Sequence, residues 1–404
     1  MHGCRRLKHA ALTVAIVLAT AAVRLHAAPQ DAARPTVVCE PAGSENLPPA
    51  DAIQACIDRA AVSSTVEIAV GKYVLNHQIV VSTAITLRGA PTASGCVAAP
   101  DDCAVLVAAP DFADQWGLLV VQSTTNARLE HLVIDGNRAQ RTESVAARFC
   151  VNGDNTYGFN GGVFECEGCR LDDVVSRNAV CGTGMVWIGG NATIEHSAFL
   201  SNGDAATRSM WSDGLTLLSA ARSTIRENTF ENNSDVGLII GYAIDSRVEH
   251  NAIRQRTQPA FAGLMLDNFN SNDRGVRGDF RGAVIAHNTI DCGTQLCTFG
   301  IQVGPRPWYS STNIVGGEVH DNMVKGAKIG INVDGAGDRD APTSIFRNSV
   351  EPAPPGSYFA TCAHPIPATW MNIAPTSIVD RRDEETKAGS HLSDSCQLSS
   401  ILAN

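Results

Sequence analysis

The chain has 404 residues, 44% of them hydrophobic and 5% aromatic, with a formal charge of −10. That acidic balance argues against nucleic acid or an anionic membrane as partner, since both are held by basic patches. Beyond the N-terminus no segment reaches the run of about 18 apolar residues that a spanning helix needs.

Residues 1–28 read as a secretory signal peptide. Arg5, Arg6 and Lys8 precede an apolar run over residues 10–23, and small residues close it at Ala27 and Ala28. Its removal takes the formal charge to −14 and leaves twelve of the thirteen cysteines. An even count in a secreted or periplasmic protein predicts disulfides. The expected pairs are Cys39 with Cys56, Cys96 with Cys103, Cys292 with Cys297 and Cys362 with Cys396. Cys150, Cys166, Cys169 and Cys181 pair among themselves in an order that stays open. Cys166-x-x-Cys169 also fits half of a redox or zinc site, but no second pair has zinc-finger spacing, so no metal is assigned.

Residues 29–64 form an N-terminal cap. Within it DAIQACIDRAA (51–61) places Ile53, Cys56, Ile57 and Ala60 at helical spacing, which predicts a short helix lying across the first coil of a repeat region.

Residues 65–350 are a solenoid of about ten coils. A Gly-led strand recurs eight times, at Gly117, Gly162, Gly184, Gly214, Gly237, Gly263, Gly300 and Gly330, and each is followed by a second block of the type TIRENTF or RVEHNAI. The anchors Leu129, Leu171, Ile194, Ile225, Val248, Ile285, Val319 and Ile345 lie 42, 23, 31, 23, 37, 34 and 26 residues apart. The bare coil is therefore 23 residues and each excess is an inserted loop. Period-two alternation sets Leu215 and Leu217, Leu238 and Ile240, Leu264 and Leu266, Ile301 and Val303, and Ile331 and Val333 on the core side. Asn228, Asn251, Asn288, Asn322 and Asn348 share one column at a bend, where each amide is expected to bond the turn backbone and the next Asn. Just before it run His131, Asp173, His196, Glu227, His250, His287, Asp321 and Arg347, which read as alternating surface charge and not as metal ligands. Residues 351–404 lose the pattern, gain proline and read as an irregular C-terminal cap.

This pattern, together with the entry sequence TVEIAVGKYVLNHQIVVSTAITLRG (65–89), resembles the pectate-lyase-like (pectin lyase-like) superfamily over about residues 50–350. The resemblance implies an all-β fold, a right-handed parallel β-helix solenoid with an N-terminal capping helix. The same architecture carries lyases, hydrolases, epimerases, esterases, tailspikes and adhesins, so function must be read from the site.

Long insertions border one sheet on both sides, which predicts a groove for an extended polymer over coils 184–340. There WSDGLTL (211–217) and, one coil later, NNSDVGLII (232–240) resemble polygalacturonase-type hydrolases. The resemblance makes Asp213 the Asp of the first motif and Asp235 the first Asp of the second. Val236 replaces the second, and neither the Gly-His nor the Arg-Ile-Lys motif follows, so Asp267 is the candidate to complete an acid–base set. Candidate sugar-binding residues are Trp211, Tyr242, Arg256, Arg277, Gln302, Trp308 and Asn332, with Tyr157 and Tyr309 as further aromatics and Thr216 and Met265 on the same face. The expected partner is a polysaccharide, cleaved or modified by hydrolysis. A second reading is a uronate lyase with a base among Arg254, Arg256, Arg274, Arg277, Arg281 and Arg306, for which calcium would be the cofactor. A third is a non-catalytic adhesin or polysaccharide-binding scaffold. Hydrolysis itself calls for no cofactor.

Overall fold

The structure is a computed structural model that describes residues 35–39, 47–207, 209–269, 278–305, 313–333, 336 and 341–351, with three short strands at Ala368–Trp370, Ile378–Asp380 and His391–Leu392. The signal peptide, Arg274, Arg277, Arg306, Trp308, Tyr309 and the Cys362–Cys396 pair lie outside the described residues.

Every strand pairing among the described residues is parallel. The Gly-led strands form one sheet of nine, from Ile79–Val81 to Ile329–Val333, and the second blocks form the other wall. The predicted anchors stack in register, Leu129 on Leu171, then Ile194, Ile225, Val248, Ile285, Val319 and Ile345. All are at most 2% exposed, as are the two leucine and isoleucine columns of the Gly-led sheet. Phe199 and Phe230 stack inside at 5.0 Å.

The second block is a strand broken by one residue. His131, Asp173, His196, Glu227, His250, His287, Asp321 and Arg347 all have φ between 49° and 58°, the left-handed region, and each turns the chain before the Asn column. Asn251 accepts the N–H and side-chain amide of Asn228 at 3.1 and 3.0 Å, and donates to Ile225 O and Asn288 Oδ1 at 2.9 Å each. The same contacts repeat through Asn322 to Asn348. The buried ladder is thus satisfied rung by rung.

The capping helix spans Pro49–Asp58, two residues earlier than its expected start, because Pro49 has the φ a first helical position requires. Cys39–Cys56 ties it to the first strand, and the Gln54 amide pairs with both backbone groups of Val80, covering the open edge of the Gly-led sheet. Cys96–Cys103 and Cys292–Cys297 pair as expected, and the open set resolves as Cys150–Cys181 and Cys166–Cys169.

Candidate active site

Asp213 lies at the start of the strand Ser212–Ser219, in register with Thr183 on the preceding coil. Its carboxyl meets the Thr216 hydroxyl at 2.7 Å and accepts the Val236 N–H at 3.1 Å. Thr216 Oγ1 also stands 3.0 Å from Thr183 Oγ1, which reaches the Met185 carbonyl at 2.8 Å. Each hydroxyl carries a single proton. With Asp213 ionised, Thr216 donates to it; with Asp213 protonated, the row reverses, and Asp213 donates to Thr216, Thr216 to Thr183, and Thr183 to Met185. The same oxygens therefore serve both protonation states.

Asp235 immediately precedes the strand Val236–Gly241. Its N–H donates to the Ser212 carbonyl at 3.0 Å, and its own carbonyl accepts the Phe261 N–H at 2.7 Å. This places it one coil beyond Asp213. Asp213 is 4% exposed and Asp235 8%. Burial and then the charge of Asp235 hold the Asp213 carboxyl well above the usual carboxylate range, and burial pushes Asp235 up to about 7. Burial therefore favours the protonated form of each carboxyl, and the charge of Asp235 adds to the effect on Asp213. A carboxyl that titrates near neutrality is the equipment for general acid–base chemistry.

The family model for the right-handed β-helix region matches residues 117–264 and 150–349. The chain belongs to this family. No curated protein matches the sequence. Solved right-handed β-helix structures with the same fold include the Dettilon tailspike protein, 11% identical with TM-score 0.56 over 88% of this chain and 68% of that one. A family 28 exopolygalacturonase of Yersinia enterocolitica is 11% identical, TM-score 0.56, over 89% and 78% of the two chains. A hyperthermoactive exopolygalacturonase of Thermotoga maritima is 11% identical, TM-score 0.51, over 79% and 87%. At such identity the likeness is one of fold.

Within this β-helix the other predicted site residues divide. Trp211 is two residues before Asp213 in the chain and 38% exposed. Tyr242 is half-buried at the bend after Gly241. Asp267 is in register with Gly241, five positions along from the level of Asp213, and its carboxyl accepts the Asn268 N–H at 2.7 Å. Its charge adds, after burial and Asp235, to what raises the Asp213 carboxyl.

Along the predicted groove over coils 184–340 the outward side chains of the sheet are buried. Ile239, Met265, Gln302 and Asn332 form the outward column and are all 0% exposed. Asn332 donates to Gln302 Oε1 at 2.7 Å and Gln302 to the Gly304 carbonyl at 2.8 Å, while Asn332 Oδ1 is buried without a hydrogen-bond partner. An outward Ile and Met would otherwise expose apolar surface, and burial removes that cost. The Arg256 N–H donates to Asn232 Oδ1 at 2.8 Å, on the turn that leads to Asp235, while its guanidinium pairs with Asp291 at 2.8 Å; Arg281 pairs with Asp279. Tyr157 stacks on Phe149 at 3.9 Å, within its own loop.

One group has the makings of a metal site, since ligand atoms of Asp172, Glu195 and His196 lie within 4.8 Å of one another. Ion pairs already engage them, however: His196 bridges Asp172 and Glu227 at 2.9 and 3.0 Å, and Glu195 holds Arg226 at 2.7 Å.

Thr183 escaped the sequence reading. Its signal was its register, two residues before the inward Met185 just as Asp213 is two before Leu215. Trp116, Phe159 and Phe164 were also missed, because they fall on coils ahead of the acidic motifs.

Proposed function

We propose that this chain is an exported carbohydrate-active enzyme that hydrolyses a polysaccharide, with Asp213 and Asp235 as its acid–base pair. The observation that carries the reading is the burial of two carboxyls on adjacent coils, Asp213 and Asp235, which favours a proton on each and suits them to general acid–base work. The β-helix fold shared with exopolygalacturonases supports it, as do the five disulfides among the described residues, which suit an oxidising compartment. Elimination is the alternative reading: Arg256 and Arg281 pair with carboxylates, Arg254 is exposed, and Arg274, Arg277 and Arg306 lie outside the described residues.

The test is product analysis on polygalacturonate, alginate and glycosaminoglycan polymers, with and without chelator. Hydrolysis predicts new reducing ends, no unsaturated-uronate absorbance and no effect of chelator. Absorbance from an unsaturated uronate contradicts hydrolysis. Binding without any product contradicts catalysis and leaves the scaffold role.

A further inference from the structure

We propose that Trp116, Phe159 and Phe164 form a binding subsite for a pyranose ring of the polysaccharide, on the coils just ahead of the carboxyl pair. This rests on reading the chain as polysaccharide-active.

Phe164 ends the strand Gly161–Phe164, and its ring lies over Gly162, where an added Cβ would meet Phe164 at 2.5 Å and Val186 Cγ1 at 2.9 Å. Gly162 is in register between Val120 and Val186, on the outward column that continues to Thr216. Glycine at that position is what lets an aromatic ring spread across the sheet as a floor. Trp116 stands against this floor as a wall, 5.1 Å from Phe164 at 71° and 5.9 Å from Phe159 at 67°. A floor and wall of aromatic carbon match the apolar C–H face of a pyranose.

The tryptophan is also held in an unfavourable conformation. Its φ is 72°, a region bulky residues avoid, and it keeps 38% of its surface exposed. Its N–H donates to the Thr156 carbonyl at 2.9 Å, which helps fix that geometry. Strain at an exposed aromatic points to a use outside the core. Polar groups border the ring as a sugar's hydroxyls require: the Gln115 amide is 2.9 Å from Thr156 Oγ1, and Gln78 donates to the carbonyls of Gln115 and Gly117 at 2.7 and 2.9 Å.

The surface is continuous with the carboxyl pair. Phe159 packs on Gly182, whose N–H donates to the Trp211 carbonyl at 2.8 Å, one residue before the strand that carries Asp213. The outward column itself is buried on both sides of the pair, Val120 and Val186 included, so on the N-terminal coils it is the rings of Trp116, Phe159 and Phe164 that stand out from the sheet beside the pair.

The experiment is calorimetric titration of Asp213→Asn protein with polygalacturonate, alginate and hyaluronan, alone and combined with Trp116→Gly or Phe164→Ala. Glycine suits a φ of 72°, so Trp116→Gly should keep or raise Tm while weakening binding at least tenfold. Phe164→Ala should weaken binding similarly. Unchanged affinity in both variants overturns the subsite, even if Asp213→Asn abolishes turnover and the hydrolase reading stands. Lost affinity upholds the subsite, even if the carboxyl variants turn over normally and the catalytic reading fails. Failure of the Asp213→Asn protein to bind any of the three polymers overturns the proposal.

Discussion

Asp213 and Asp235 set the pH behaviour of the protein. A carboxyl raised from 3.8 to about 7 holds a proton in the folded state that the unfolded chain has already released, so stability is fully present below about pH 4 and falls as pH rises towards 7. Asp235→Asn should weaken that dependence and stabilise the protein at pH 8 by on the order of a few kcal/mol, read as a higher Tm. A flat pH profile in the wild-type protein would refute the raised carboxyl. Turnover should fall on the alkaline side with an apparent pKa near 7 that belongs to the pair. Each Asp→Asn change should reduce turnover at least about 100-fold, as loss of a general acid or base does. Of this site, Asp213 and Asp235 were legible because Trp-Ser-Asp-Gly and Ser-Asp-Val-Gly precede recognisable strands. Their burial was not, since it depends on what covers the outward face, and strand alternation says nothing of that. The Thr216 to Thr183 row was hidden for a related reason: the two threonines are 33 residues apart and meet only through register.

At the scale of the element, the coil is held by ladders of buried amides. Replacing Asn251 with Leu leaves the Asn228 amide, the Ile225 carbonyl and the Asn288 carbonyl oxygen short of their contacts, each worth about 1–3 kcal/mol when buried and unpaired. Thermal or denaturant unfolding should show a loss of several kcal/mol; an unchanged midpoint would mean the ladder is ornamental. This column was readable because its spacing from the anchor never varies. A second ladder was not readable: Asn160 approaches Asn202 at 3.4 Å, Asn202 donates to Asn233 at 2.9 Å, and Gln255 reaches the Asn233 carbonyl. It borders the bend where loops enter, and their varying lengths blur the period. Loop length likewise obscured the pairing of Cys150 with Cys181, which closes 31 residues of chain around the longest insertion.

The whole molecule is a solenoid whose ends and faces are unequal. The capping helix guards one end, and opening Cys39–Cys56 with serines should cost about 3 kcal/mol for a loop of 17 residues. Hydrogen exchange should then rise in the first coils and stay unchanged beyond Arg128; uniform exchange would show that the cap serves the entire spiral. The fold was legible end to end because a repeat reports itself many times over. Where along the face a ligand would lie was not legible, because insertions flank its whole length; among the described residues the exposed tryptophans Trp116 and Trp211 fall on the coils up to Asp235. The central claim is that the pair of Asp213 and Asp235 hydrolyses a polymer. It is tested most directly by chromatographic and ultraviolet analysis of products formed from polygalacturonate, alginate and glycosaminoglycans by wild-type, Asp213→Asn and Asp235→Asn proteins. The account predicts saturated, reducing-end products from the wild type and at least about 100-fold less from either variant. Full turnover by both variants, or unsaturated products from the wild type, would contradict it.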